Sequence, residues 1–405
     1  MSRKIFEWCK IKDLDLHISD GNYSSKYPRA DEFVSMGIPF IRANNLVNKT
    51  ISPKDMYFIT QEKHNLLLKG HIKTNDILIT TRGNLGTTAL VPESYNDANI
   101  NAQIVLLRAN PQTIDPKFLV WCFDTKEVQS QIEQLQTGTA LKQLPVSKVL
   151  EIRIPLPPIA QQRRIAEILD RADAVRRKRR EAIELTEELL RSAFLEMFSD
   201  PVTNPKGWEI TTLANLLTDI ESGWSPECDS RQAKSEEWGV LKLGAVTWGH
   251  FDPTQNKALL PDTSPRPALE VKVGDLLVAR KNTYELVGAS AFVHSTRSKL
   301  MLPDLIFRLH LTKEIDPVYL WQVLSQKTIR LKLSKLASGT SGSMPNISKA
   351  RLRTLLLPLP PLEIQIRYRE IVNQIWKQQE QQKNSFLVTS DLFNSLLQRA
   401  FRGEL

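Results

Sequence analysis

The chain has few cysteines: Cys9, Cys122 and Cys228 are the only three in 405 residues. They stand alone with no C-x-x-C spacing, which excludes a disulfide framework and a cysteine-built zinc site. Long apolar runs are missing as well. No stretch approaches the ~18 apolar residues of a membrane span, and Met1-Ser2-Arg3-Lys4-Ile5-Phe6-Glu7-Trp8 lacks the apolar centre of a secretion signal. The expected location is the cytoplasm, with no membrane partner. Catalytic signatures are absent too. There is no G-x-x-x-x-G-K-[ST], no G-x-G-x-x-G after a strand and no H-E-x-x-H. Nor is there an Asn-Pro-Pro-Tyr-like segment of the kind used by amino-methyltransferases. His64 and His71 lie seven residues apart with no third ligand beside them, and read as core or surface histidines. No catalytic residue, metal ligand or cofactor is expected.

What is present is ordinary globular composition, written twice. At 41% hydrophobic and 24% charged residues, the chain can bury a core in each of two or three domains. A formal charge of +9 and a pI near 9.3 point to a polyanionic partner. Ile154-Pro155-Leu156-Pro157-Pro158-Ile159 returns as Leu357-Pro358-Leu359-Pro360-Pro361-Leu362, too far away for a solenoid repeat. Other anchors keep the same order: Trp8 and Trp208; Ile18-Ser19-Asp20-Gly21 and Ile220-Glu221-Ser222-Gly223; Leu85-Gly86 and Val287-Gly288; Ile114-Asp115-Pro116 and Ile315-Asp316-Pro317. The segment from Asp76 to Arg82 answers that from Asp275 to Arg280, and Gly138-Thr139 answers Gly339-Thr340. The chain therefore holds two copies of one unit, each a globular segment followed by a helix.

Between the anchors the globular segments differ almost everywhere. Both read as short β-branched or apolar strands separated by Gly, Asn and Pro, as at residues 38–41, 76–80, 104–107, 240–243 and 276–278. Helical spacing takes over at residues 118–135 and 318–336. An α+β module with a mostly antiparallel sheet is expected. The long helices carry apolar seams at alternating three- and four-residue steps. The first seam is Ile165, Ile168, Ala172, Val175, Ala182, Leu189 and Ala193. The second is Ile364, Tyr368, Ile371, Ile375, Leu392 and Leu396. Arg179 and Thr186, and Gln378 and Gln382, interrupt them near the middle. This pattern predicts that the helices pair, without deciding the direction. A helix over residues 159–198 would span roughly 60 Å at about 1.5 Å per residue, long enough to act as a ruler.

Two motifs need weighing. Pro261-Asp262 with Glu270-Val271-Lys272 resembles the carboxylate set of metal-dependent nucleases. The repeat aligns Glu270 with His71 and Lys272 with Lys73, so the first copy lacks the carboxylate. A solvated turn before a strand is the expected reading. The basic run Val175-Arg176-Arg177-Lys178-Arg179-Arg180 lies inside a helix and reads as a solvated face, or one presented to DNA or a partner.

Two divergent modules, each followed by Pro-Leu-Pro-Pro and a long helix, resemble the specificity subunit of type I restriction–modification enzymes. The most specific marks are Ile154 to Gln162 with Ile165-Ala166-Glu167-Ile168-Leu169-Asp170, and the second phrase with Glu363, Gln365 and Ile366. The resemblance implies two target recognition domains, residues 1–153 and 201–356, and two helical regions, residues 154–200 and 357–405, pairing as an antiparallel coiled coil. It implies a non-catalytic subunit that reads a split DNA site, binds two methyltransferase subunits and is joined by restriction/translocase subunits. Base edges are read by Arg, Lys, Asn and Gln. The candidate DNA contacts are Arg42, Asn44, Asn45, Arg82, Asn84, Lys142 and Gln143 in the first copy. In the second they are Lys242, Arg280, Lys281, Asn282, Tyr284 and Ser343. The repeat equates Arg42 with Lys242 and Arg82 with Arg280. The alternatives are a standalone nuclease built on Glu270 and Lys272, or a coiled-coil scaffold for two protein clients.

Overall fold

The computed structural model describes residues 6–21, 25–139, 141–339 and 344–405, with the side chain of Glu187 excepted. Contacts divide the chain into two compact units, residues 1–180 with 384–405, and residues 181–383. Each unit combines one globular module with one half of each long helix, Ile159–Phe198 and Leu362–Phe401. Among the described residues no helix is long and apolar enough to cross a membrane.

The modules share one topology. In the first, strands Leu16–Asp20, Ile104–Ala109, Ile77–Thr80 and Thr88–Leu90 lie side by side in that order, all antiparallel. In the second, Leu217–Ser222, Ile306–Leu311, Leu276–Ala279 and Ser290–Phe292 repeat the arrangement. A three-stranded sheet accompanies each, centred on Ile38–Ile41 or Gly239–Leu241, with one parallel neighbour. Where the chain leaves Leu16–Asp20 it grazes the other sheet. A Cβ on Gly21 would stand 2.2 Å from the Asn101 carbonyl oxygen, and one on Gly223 1.9 Å from that of Leu302. Only glycine permits this approach. The helical stretches each break in two, Pro116–Cys122 with Lys126–Leu135 and Pro317–Ser325 with Lys327–Leu336. Thr125 caps the helix that follows it by accepting from the Val128 N–H.

The Pro-Leu-Pro-Pro phrases close the modules. Arg153–Pro155 pairs antiparallel with Trp8–Lys10, and Leu356–Leu359 with Glu209–Thr212. Next, one glutamine ties the new helix to its module. Gln162, 1% exposed, accepts from the Asp115 N–H at 2.9 Å and donates to the carbonyls of Pro157 at 2.8 Å and Thr113 at 3.2 Å. Gln365, fully buried, accepts from the Asp316 N–H at 2.8 Å and donates to Pro360 at 2.8 Å and Glu314 at 3.4 Å. Asp115 and Asp316 in turn cap the helices that start at Pro116 and Pro317. A second shared anchor is the aspartate before each central strand. Asp76 accepts from Arg108 Nε and Nη2, both at 2.7 Å, and from the Lys73 N–H. Asp275 lies 3.2 Å from Arg308 Nε and accepts from the Lys272 N–H. Burial raises the Asp275 carboxyl above the usual carboxylate range, against the opposing pull of these partners.

The helices pair antiparallel. In the first unit Arg176 lies over Phe393 and Arg180 over Phe386, so the partner runs backward as the first helix advances. In the second unit the other halves meet, with the Tyr368 hydroxyl donating to the Leu190 carbonyl and its ring packed on Phe194 and Phe198. The expected seam needs correction. Val175, Leu189, Ile371 and Leu392 are exposed, while Ile165, Leu169, Leu190, Phe194, Phe198, Tyr368, Val372, Ile375, Phe393 and Leu397 are buried. The helices turn their most apolar stripe toward the modules, joining the cores built on Trp121 and Tyr319. Periodicity alone cannot distinguish that face from a helix–helix seam.

Replacing Gln162 or Gln365 with leucine strands a backbone N–H and two carbonyls in a dry site, at a cost of about 1–3 kcal/mol. Calorimetry of the full chain should show a lower unfolding midpoint for each variant. An unchanged midpoint would remove the clamp from this account.

Candidate nucleic-acid interface

Both modules build the same loop constellation at one end of the central strand. In the first, Arg82 leaves strand Ile77–Thr80 and bridges to Gln143, which bridges back to Thr137. Thr137 and Gln143 exchange two backbone hydrogen bonds, at 2.8 and 2.9 Å, and the Leu144 N–H donates to the Thr81 carbonyl at 3.0 Å. The turn at residues 101–103 joins this end to the other sheet. The Asn101 N–H donates to Ile41 and the Thr81 N–H to Gln103, both at 2.8 Å. Arg42 and Arg82, the residues that follow Ile41 and Thr81, therefore emerge beside one turn. In the second module Lys281 bridges to Asn346 and Asn346 to Ser338, the last two exchanging bonds of 3.0 Å. The Ile347 N–H donates to the Arg280 carbonyl at 2.8 Å, and the Arg280 N–H to Leu305 at 3.0 Å.

This pattern corrects the repeat register by one residue. Thr81 and Arg280 make equivalent bonds, and so do Arg82 and Lys281, so Arg82 answers Lys281 rather than Arg280. Similar letters in the two copies had concealed the shift.

The candidate side chains differ in availability. Asn44, Asn84, Lys142 and Tyr284 are exposed, whereas Arg42, Arg82, Gln143, Lys242, Arg280 and Lys281 are half-buried. Asn45 is fully buried, accepting from the Arg42 N–H at 3.0 Å and donating to the Lys54 and Ser52 carbonyls at 2.9 and 3.2 Å, so it shapes its own loop. Asn282 is also buried, its amide 3.4 Å from the Thr247 hydroxyl and its oxygen accepting from the Thr283 N–H. Arg42 is held by the Asp55 carbonyl at 2.6 Å and by the Tyr57 ring, 3.5 Å below its guanidinium. Arg280 Nε donates to Asn346 Oδ1 at 3.1 Å. Ser343 lies outside the described residues. Loops with basic and amide groups held by their neighbours can hydrogen-bond a polyanion and its bases.

The model of the type I restriction modification DNA specificity domain family matches residues 7–185. The likeness continues beyond them. The EcoKI specificity subunit of Escherichia coli K12 is 26% identical over 396 residues, 91% of this chain and 82% of the relative. The EcoEI specificity subunit of Escherichia coli is 36% identical over 186 residues, 45% of this chain, and the match spans only 31% of that relative. The S subunit of a type I restriction–modification system from M. genitalium shares the fold over 99% of this chain and 98% of its own, with a TM-score of 0.58 at 15% identity.

Some residues of interest lay beyond sequence reasoning. In the first module, Asp97 stands beside His64 and His71, overturning the expectation that no third ligand is near. In the second module Trp248 is 70% exposed, next to the Thr247 that contacts Asn282. A single exposed tryptophan in a loop carries no periodic signal. The nuclease-like set behaves as a turn. The Glu270 carboxylate accepts from the Lys299 N–H at 2.6 Å, while Asp262 and Lys272 are exposed. Glu270 bridges to Met301 where His71 bridges to Asn99, which confirms the alignment of the two positions.

Glu270→Gln keeps an acceptor for Lys299 and should leave the unfolding midpoint near that of the native chain, whereas Glu270→Ala should lower stability by about 1–2 kcal/mol. Loss of a Mg²⁺-dependent DNA cleavage activity in the Gln variant would contradict the structural role.

Proposed function

We propose that the chain is the non-catalytic DNA-recognition and scaffold subunit of a type I restriction–modification complex, reading a split, asymmetric site. The observation that carries this reading is the bridged loop constellation, built twice on one topology with different side chains. Residues 1–153 and 201–356 are the two reading modules, and residues 154–200 and 357–405 are the arms. Two modules that differ in Arg82, Asn84, Lys142 and Gln143 against Lys242, Arg280, Lys281 and Tyr284 read different half-sites. Half-sites on one face of a duplex lie about 34 Å apart or a multiple of it.

The exposed apolar residues of the long helices support a docking role. Val175 and Leu392, and Leu189 and Ile371, are 37–66% exposed, and apolar surface of this kind marks protein interfaces. Two methyltransferase subunits are the proposed occupants, with restriction/translocase subunits joining them, in the cytoplasm. Methylation and ATP-dependent cleavage belong to those partners.

Footprinting of the complex with methyltransferase subunits tests the reading. Arg82→Ala with Gln143→Ala should relax one half-sequence only, and Lys281→Ala with Tyr284→Ala the other, by about 1–3 kcal/mol for each lost base contact. Equal losses at both half-sites, or one contiguous footprint, would overturn the two-module reading. The arms make a separate prediction. Four residues inserted near Thr186 lengthen a helix by about 6 Å and should widen the unread spacer, with both half-sequences kept. An unaltered spacer would show that the helices do not act as a ruler.

A further inference from the structure

We propose that His64, His71 and Asp97 form a binding site for one divalent cation of the zinc class in the first module. His64 stands on helix Gln61–Leu66, capped by Thr60, and is 4% exposed. His71 and Asp97 are brought beside it by the exchange in which the Asp97 N–H donates to Ile72 at 2.8 Å and the Ile72 N–H to Ala98 at 3.0 Å. Nitrogen and carboxylate oxygen atoms of all three residues lie within 4.8 Å of one another. His64 Nε2 is 3.4 Å from one Asp97 oxygen, and His71 Nδ1 is 3.9 Å from the other. Ligand atoms on a tetrahedral zinc stand about 3.3 Å apart, given bonds of about 2.0–2.1 Å.

The protons make the case sharper. His64 Nδ1 is 2.5 Å from the Asn99 amide oxygen, and His71 Nε2 is 2.6 Å from the Leu67 carbonyl. Each oxygen is an acceptor, so those two ring nitrogens carry hydrogens. In the neutral imidazoles the remaining ring nitrogens, His64 Nε2 and His71 Nδ1, present lone pairs. Both face the Asp97 carboxylate, which has no hydrogen to give them when it is ionised. A cation at their meeting point turns this opposition into coordination. Histidine ligands whose second nitrogen donates to an amide or carbonyl oxygen are the usual supported arrangement of a metal site. Two imidazoles favour zinc, nickel, cobalt or copper over magnesium or calcium, which prefer oxygen. The Asp97 side chain is 69% exposed, so a fourth position is open to water. The site would tie the short helix to the strand at Asn99.

The second module provides the control. Glu270 replaces His71, and Lys299 replaces Asp97 with the same left-handed backbone, φ +64° at both. There the Glu270 carboxylate accepts from the Lys299 N–H, and Lys299 Nζ donates to the Glu236 carbonyl at 3.0 Å. One position is joined by hydrogen bonds in one copy and lined by candidate ligand atoms in the other. The left-handed backbone belongs to the fold, and only the side chains of the first copy are suited to a metal.

The test is Co²⁺ titration of the chelator-stripped full chain, followed by visible absorption, with Zn²⁺ as competitor. The expected result is about one equivalent with the intense ligand-field bands of a tetrahedral nitrogen–oxygen site, displaced by Zn²⁺. Asp97→Asn, which tolerates the left-handed backbone, and His71→Gln should each weaken binding by at least about tenfold. Cys228→Ser should bind as the native chain does. Zn²⁺ should raise the thermal midpoint of the native chain more than that of Asp97→Asn at the same concentration. Absence of Co²⁺ binding, equal binding by the native chain and Asp97→Asn, or loss of binding in the Cys228 variant would overturn the proposal.

Discussion

Two buried glutamines determine where the long helices begin, and much else follows from them. Gln162 and Gln365 each accept from the N–H of the aspartate that starts a module helix and donate to the carbonyl of the last proline but one before the arm. Those bonds fix the first turn of each helix against its module, ahead of the apolar contacts that Ile165 and Leu169, or Tyr368 and Val372, make further along. With them, helix, closing strand and module helix share one rigid joint. An amide is suited to this place because it both donates and accepts. A carboxylate at the same position would face two carbonyl oxygens.

The joint explains how the apolar stripes are used. The first module rests on Ile165 and Leu169 from the start of one long helix and on Phe393 and Leu397 from the end of the other. The second rests on Tyr368, Val372 and Ile375 from one start and on Leu190, Phe194 and Phe198 from the other end. Each core is thus completed by a segment distant in sequence. Truncating a buried aromatic such as Phe194 in such a core costs about 3–5 kcal/mol. Duplication within one polypeptide is a direct way to supply both halves of each core.

The large organisation was legible in the sequence because it rested on repetition. The strand at residues 38–41, the strand after Asp76 and Asp275, and both long helices appear where the pattern placed them. What failed depended on which neighbour a face meets. Val175 and Leu392 keep seam spacing and yet point outward, since a 3.6-residue period identifies an apolar face without naming its partner. Asn45 and Asn282 carry groups suited to bases, but their own loops occupy them. The one-residue slip between Arg82 and Arg280 was hidden because both copies carry an arginine near the strand end, and the hydrogen-bond register exposes it. Asp97 could not be linked to His64 and His71 from the sequence, because a backbone exchange across the sheet edge brings them together.

The central claim is that two rigidly jointed heads, alike in frame and different in side chains, read two separate stretches of DNA for a shared set of partners. The most direct measurement is genome-wide mapping of modified bases in a host that carries this chain with its methyltransferase partners and no other such system. The account predicts one modified motif made of two unlike short sequences separated by an unread spacer of constant length. A contiguous or palindromic motif would contradict it.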